Sequence, residues 1–535
     1  MKVKKENILL YLLLGIGIIL TLLYIFRTST IMLNTDYVIT DVITHEQKLT
    51  GQFILKDWYY SNESFTKSIS IPTYVLSFVI KNNLLLRQVC VLITSIIFFI
   101  LLYIYGKKYL EKRERLILLA IFASGISYSV LDYYYAFNTY LTVVINSLML
   151  FFLYYKAFEE KEKNKLYLVL SVIFTFLFSM GSLRYICAVI IPFVFTELIL
   201  LFKKNKNEIL NKVIKIIGII LTLIIGILIY KLLFTNHKFS ISIYNKIDFN
   251  IIKSNFMSVV DSIFNFFGFD NMNNIYQKRL GNWFYVNEHK EFSIYSIRNI
   301  SYILKFLAFF VFIIVSPIAL FKKYKQNDKT INILLIFNTV SWVCNIFAYV
   351  IIKNYQHNYG SMHYFMFNIV ISIVLGLYLL SNHIKNKNIK MIVYLFLIVY
   401  ILANIYTTSV TIIENNNRRP IQREIAKILM KNDLTFGYGD YYDSLIINFF
   451  SGYEVDIVPI NYFYNNKHIL KNSKISIHSK NYNKGKMFIL YNPNFTEFNS
   501  YLLTGYQPDK TIHYKKYRID IFNINPFTRR IKYEK

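Results

Sequence analysis

Ile8-Leu-Leu-Tyr-Leu-Leu-Leu-Gly-Ile-Gly-Ile-Ile-Leu-Thr-Leu-Leu-Tyr-Ile-Phe26 is an unbroken apolar run, preceded by Met1-Lys-Val-Lys-Lys-Glu6. At the rise of an α-helix it is long enough to cross a hydrocarbon core of about 30 Å. It lacks a small-residue cleavage site, so it reads as an uncleaved first span rather than a signal peptide. A polar island follows at once: Asn34-Thr-Asp-Tyr-Val-Ile-Thr-Asp41, then Gly51-Gln-Phe-Ile-Leu-Lys-Asp-Trp-Tyr-Tyr60, then Ile71-Pro-Thr-Tyr74. This island is long and sets acids beside aromatics at the edge of a membrane.

Runs of the same kind recur. The expected spans are 8–26, 89–106, 116–132, 139–155, 166–181, 185–202, 213–234, 302–321, 331–352, 364–381 and 390–410, about eleven in all. The chain is 55% hydrophobic over 535 residues, with a mean hydropathy of +0.37. The runs are continuous rather than alternating, which excludes a β-barrel. The fold class is therefore a polytopic α-helical membrane protein. Cys90, Cys187 and Cys344 each lie in an apolar run and read as small packing residues.

The net charge of +29 is not a nucleic-acid signature. Its lysines gather at every second connection: Lys2 to Lys5, Lys107 to Arg115, Lys156 to Lys165, Lys203 to Lys212, Lys322 to Lys329 and Lys385 to Lys390. Positive loops stay in the cytoplasm. This puts the N-terminus inside a plasma membrane and, after an odd number of spans, the C-terminus outside.

Three external regions are long enough to fold. Residues 27–88 form the first loop and 235–301 the second, both within a membrane domain of 1–410. Residues 411–535 form the tail. In the first loop Ile69, Ile71, Tyr74, Val75, Phe78 and Val79 suggest a helix lying on the membrane surface. In the second, Phe256, Val259, Val260, Ile263, Phe264 and Phe267 have helical spacing, which fits either a surface-lying or a packed helix. The tail reads as a small extracytoplasmic α/β domain, with helices at 421–431 and 444–450 and strands at 455–458, 486–491 and 517–522.

The first-loop acids Asp36, Asp41, Glu46, Asp57 and Glu63 are either solvated loop residues or site residues. Asp36 stands just past the first span, where a carboxylate can take a proton from an acceptor or help hold a divalent cation. Arg184, in the outer turn Gly181-Ser-Leu-Arg-Tyr185, matches a phosphate fork or snorkels to lipid headgroups. His363 in Asn358-Tyr-Gly-Ser-Met-His-Tyr364 is a base, a phosphate donor or a structural histidine. The tyrosines between Asp132 and Asn138 also suit interfacial anchors. No Walker A loop, His-Glu-x-x-His or Gly-x-Ser-x-Gly motif is present.

This layout resembles the GT-C superfamily of membrane glycosyltransferases. Thr35-Asp36 resembles its first-loop acid and Gly51 to Trp58 a glycine-to-tryptophan stretch of bacterial relatives. Gly181 to Pro192 resembles their arginine-containing turn, and Tyr438-Gly-Asp-Tyr-Tyr-Asp-Ser444 a motif of their external domain. The resemblance implies an enzyme of the bacterial cell envelope moving a sugar from a polyprenyl-phosphate donor to a glycan, lipid or protein acceptor, with inversion. It implies Asp36, with Asp41, as catalytic acids and ligands of a Mg or Mn ion. Arg184 and His363 would contact the donor phosphate, and Asp57, Trp58, Tyr59, Asp132 and Asn138 the substrate. The chain has a single acid where relatives pair two, a histidine at 363 where they have arginine, and Asn138 where histidine is common. Two rival readings share the membrane layout: a transporter or flippase of lipid-linked saccharides, which needs polar residues through the bilayer, and a non-catalytic envelope scaffold.

Overall fold

The computed structural model describes the chain except residues 1–4, 34, 56–57, 59–69, 160–163, 181–182, 202–205, 235–248, 268–296, 352–363, 416–418, 460–462, 465–466, 469–484, 493–506 and 525–535. The chain forms two compact units. One comprises Met1–Thr28, Leu92–Ile229 and Ile241–Asn416, and the other Ser29–Val91, Tyr230–Ser240 and Asn417–Lys535.

The helices in chain order are α1 (Lys5–Leu23), α2 (Thr35–Thr50), α3 (Ile71–Leu76), α4 (Asn83–Tyr109), α5 (Lys112–Ala123), α6 (Tyr128–Leu131), α7 (Thr139–Glu159), α8 (Asn164–Ser179), α9 (Leu183–Tyr185), α10 (Ile191–Leu201), α11 (Lys206–Phe234) and α12 (Phe249–Phe266). They continue as α13 (Ile297–Phe309), α14 (Ser316–Lys322), α15 (Lys329–Ile351), α16 (Met366–Asn382), α17 (Lys387–Asn415), α18 (Ile421–Lys431) and α19 (Tyr441–Phe450). Among the described residues seven helices are long and apolar enough to cross a membrane. One further pair, α5 with α6 and its extension to Ala136, is bent by 82°, and three shorter apolar helices cover Lys165–Ser179, Ile186–Leu201 and Met366–Asn382. All of these lie at positions expected from the apolar runs.

The third expected span, 116–132, is therefore not straight. Gly125 breaks it with φ +70, a left-handed backbone that suits glycine. A Cβ there would strike Thr408 and Leu131. Polar side chains bond the carbonyls freed at the break: Thr21 Oγ1 donates to Ala123 O at 2.9 Å and Thr408 Oγ1 to Ser124 O at 2.8 Å. A break in an apolar run is tolerated where neighbouring helices re-satisfy the backbone.

α12 is packed rather than only surface-lying. Val259, Ile263, Phe266 and Phe267 are buried, and Asn255 Nδ2 donates to Val350 O at 3.0 Å, while Phe256 and Met257 stay exposed. Phe264 lies outside the described side chains. Glu197, the main acid within an apolar run and near that run's end, is bonded by Lys212, which also holds Glu159. Lys329 completes this clasp on Glu159 at 2.5 Å. It joins the ends of α7, α10, α11 and α15, an arrangement that neutralises charge rather than lining a path.

In the second unit, β1 (Phe436–Gly439), β2 (Asp456–Pro459), β5 (Met487–Tyr491), β6 (Lys510–Tyr514) and β7 (Tyr517–Phe522) form one sheet of order β2-β1-β5-β7-β6; β3 (Phe463–Tyr464) pairs with β4 (Lys467–His468). β1 is parallel to β2 and β5, and β7 is antiparallel to β5 and β6. The strands expected at 455–458, 486–491 and 517–522 are present as β2, β5 and β7. The core joins Ile425 and Leu429 of α18 and Ile447 of α19 to Ile457, Phe488, Leu490 and Ile519 of the sheet. β1 carries a weak strand signal, Phe-Gly-Tyr-Gly. Gly437 is needed there, because a Cβ would lie 2.5 Å from Phe488 O on the neighbouring strand.

α2 packs against α19 within this unit. Its sequence is rich in β-branched Thr, Val and Ile, which are weak helix formers. Burial of Val38, Ile39, Val42 and Ile43 on one side overrides that preference. α3 is shorter than the surface helix expected from Ile69 to Val79. Ser70 caps it, accepting from Thr73 N at 3.3 Å, and Pro72 lies in its first turn. Ile71, Val75, Phe78 and Val79 are all exposed.

Candidate active site

Asp36 is the second residue of α2, half-buried in its first turn. An acid is the favourable charge at that end of a helix dipole. Asp41 has a different environment. It is 5% exposed, and Arg87, 8% exposed, donates Nη1 to its Oδ2 at 2.6 Å and to Tyr37 O at 2.7 Å. Burial pushes the Asp41 carboxyl up from its ordinary range, and Arg87 offsets part of that rise.

Five residues along a helix correspond to about 140° of rotation and about 7.5 Å of rise. The two carboxylates thus face different directions, and one oxygen of Asp41 is already held. Among the described residues no three His, Cys, Asp or Glu side chains gather to hold a metal ion. A Mg or Mn ion on Asp36 would have to draw its other ligands from residues other than Asp41.

Asp57, Tyr59 and Glu63 lie outside the described residues. Trp58 is 1% exposed, and its indole N–H has no partner among the described residues. Its ring is packed inside the unit rather than offered at a surface.

In the other unit, Arg184 lies against rings from two distant parts of the chain. α6 continues as a π-helical turn, Asp132–Ala136, in which Asp132 is buried. Asn138 follows with φ +61, a conformation asparagine tolerates, and its Nδ2 donates to Thr94 Oγ1 at 3.4 Å. Tyr140, two residues on, contacts Tyr133 and Phe137 edge to face. Arg184 stands in α9, 7% exposed, before a second π-helical turn, Ile186–Ile190. Its guanidinium lies 4.8 Å from the Tyr140 ring and 4.3 Å from the Tyr364 ring. A guanidinium's planar N–H fork has the geometry that matches phosphate oxygens. π-Turns are frequent beside functional sites. Gly181, Ser182 and His363 lie outside the described residues.

Sequence reasoning singled out Asp132, Asn138 and Arg184 but not Tyr140 and Tyr364, which join them. Nor did it flag Arg87, which stands two residues before an expected span. A cation so near an apolar run was the available signal.

No family model and no curated protein matches the chain at the level of sequence. Solved structures match it in fold. The Archaeoglobus fulgidus oligosaccharyltransferase in its apo form aligns with a TM-score of 0.50 and 12% identity, covering 91% of this chain and 69% of that one. Its complex with Zn and sulfate aligns at 0.49 and 11%, covering 89% and 67%. Its form tethered to an acceptor peptide containing the NVT sequon aligns at 0.47 and 12%, covering 90% and 69%. That protein is a GT-C superfamily member. The chain shares the fold of this oligosaccharyltransferase. The likeness extends over nine-tenths of the chain.

Proposed function

We propose that the chain is a GT-C glycosyltransferase that moves a sugar from a polyprenyl-phosphate-linked donor to a cell-envelope acceptor on the outer face of the plasma membrane. The N-terminus is cytoplasmic and the tail, 411–535, extracytoplasmic. The observation that carries this reading is Asp36: a half-buried carboxylate in the first turn of the helix that follows the first span, on a GT-C fold.

The proposed reaction is a single displacement. Asp36 takes the proton of an acceptor hydroxyl or amine, and the freed lone pair attacks the anomeric carbon. The bond from that carbon to the phosphate oxygen breaks, and its electron pair leaves on the lipid phosphate. One displacement inverts the anomeric centre. The ring-backed fork of Arg184 supports its role as the group that neutralises the leaving phosphate, with His363 beside Tyr364 in sequence as the second donor. Charge stabilisation of that kind is a large catalytic term. Because the donor carries its own leaving group, no nucleotide is required outside. Asp41, already paired with Arg87, fits a positioning role that holds α2.

Turnover of radiolabelled polyprenyl-phosphate sugars with a cell-envelope extract as acceptor tests this reading. Asp36→Asn should lower turnover by about 10²- to 10⁴-fold, the range for a lost general base, with unfolding unchanged. Wild-type turnover in Asp36→Asn would sink the assignment.

A further inference from the structure

The second unit holds a cleft that the proposed reaction does not use. It is a small cavity of about 30 Å³, open at one side, between α2, the end of the α3 region, the start of α4 and Tyr453. One face of α2 supplies Asp41, Thr44, His45 and Lys48, spaced as residues on one side of a helix are. Lys81 lies opposite. Two features mark the cleft as built. Tyr453 is a non-glycine residue at φ +66, directly after Gly452 at the same angle, and its ring stacks on His45 at 3.9 Å. Such backbone strain persists where surrounding structure holds it. Thr44, 2% exposed, has a hydroxyl with no partner among the described residues. A buried hydroxyl left unmade costs about 1–3 kcal/mol, which a ligand oxygen would recover.

The lining favours an anion. Lys48, Lys81 and Arg87 stand against two carboxylates, Asp41 and Glu46, whose charges both reach Tyr453. Arg87 offsets Asp41, and the two lysines outweigh Glu46, so the balance at the mouth is positive. Lys48 donates to Ser77 O at 2.7 Å, which holds its ammonium at the edge of the cleft with further N–H groups to give. The neighbouring surface is apolar: Phe78 and Val79, between cleft-lining Ser77 and Ile80, are 61% and 81% exposed, and Ile71 and Val75 continue the face. Cations beside an exposed apolar face match a molecule with a phosphate and hydrocarbon chains.

We propose that this cleft binds the phosphate of an anionic phospholipid, with its acyl chains against the apolar face of the α3 region. A lipid-linked sugar donor has similar chemistry. It is set aside because Thr44 lies eight residues, about 12 Å, along α2 from Asp36, too far for a reacting sugar on the same phosphate. That step rests on Asp36 being the base.

Native mass spectrometry of the full chain in detergent tests the proposal, comparing retained phosphatidylglycerol with phosphatidylcholine of matched chains. The wild type should prefer phosphatidylglycerol by roughly tenfold or more, at about fivefold for each lysine near a headgroup. Lys48→Glu with Lys81→Glu should remove the preference, and Thr44→Val should lower retention about two- to tenfold. Lys515→Glu with Lys516→Glu, the same charge change elsewhere, should leave it intact. Equal retention of both lipids, or equal loss in the two charge-reversed pairs, overturns the site. Displacement of phosphatidylglycerol by polyprenyl monophosphate, dependent on Lys48 and Lys81, overturns the phospholipid and makes the cleft a donor site. Asp36→Asn should retain phosphatidylglycerol normally whatever its turnover, which separates failure of this site from failure of the proposed base.

Discussion

Arg87 and Arg184 are almost equally buried, at 8% and 7% exposure, yet their surroundings differ in kind. Arg87 meets a carboxylate and a carbonyl, Asp41 and Tyr37. Arg184 meets the rings of Tyr140 and Tyr364. A carboxylate cancels the charge of a guanidinium and uses its fork. A ring stabilises the charge through its quadrupole without cancelling it. The first arrangement fastens a helix; the second is the one that the proposed reaction assigns to the donor phosphate. Residue type and burial alone do not distinguish a fastening from a binding group; the chemistry of the neighbours does.

The largest test of that contrast is Arg87→Met. It strands a buried carboxylate and should cost about 3–5 kcal/mol in denaturant unfolding. Adding Asp41→Leu should recover most of the loss, since the pair can be replaced by apolar groups of similar size. No recovery would mean that Arg87 does more than fasten α2. Next is Arg184→Lys, which keeps the charge but loses the planar fork. Turnover should fall by about 10²- to 10³-fold with the unfolding midpoint unchanged. If the midpoint falls instead and turnover holds, the two arginines are alike and the contrast fails.

Asp41→Asn is a smaller change. Replacing a charge-assisted hydrogen bond should lower stability by about 1.5–3 kcal/mol while some turnover survives. Turnover lost as completely as in Asp36→Asn would return Asp41 to the catalytic set. The smallest effect separates Tyr364→Phe from Tyr364→Leu. The phenyl ring keeps the cation over a π face, whereas leucine should raise the barrier by about 0.5–2 kcal/mol in kcat/KM. Equal values for the two variants would show that the ring serves only as packing.

Much of the architecture was legible because hydrocarbon imposes a simple demand. Each apolar run must close its own backbone hydrogen bonds, so length and composition locate the helices. The tail was legible where patterning was strong. The amphipathic helix at Ile421–Lys431 and the strands around Ile457, Ile489 and Ile519 stand where their periodicity predicts. β1 was not read as a strand, because Phe-Gly-Tyr-Gly qualifies through the close approach of Phe488 rather than through propensity. α2 was hidden for the related reason that its β-branched residues argue against a helix until burial on α19 is counted.

The site divides in the same way. Asp36, Asp132, Asn138 and Arg184 were candidates from sequence because polar residues at the end of an apolar run stand out. Their surroundings could not. Tyr140 and Tyr364 are separated from Arg184 by long stretches of chain, and tyrosine is too common here for any one to attract notice. The stack of His45 on Tyr453 joins residues some four hundred positions apart.

By itself, then, the sequence determined the membrane class and the placement of the apolar helices, since each depends on local composition against a fixed bilayer thickness. Only the tertiary structure decided which acid is clamped, which arginine lies against tyrosine rings, and where a threonine hydroxyl is buried without a partner among the described residues. Those outcomes depend on what lies within a few ångströms in space, and pairing across long chain separations leaves no periodic trace in the sequence.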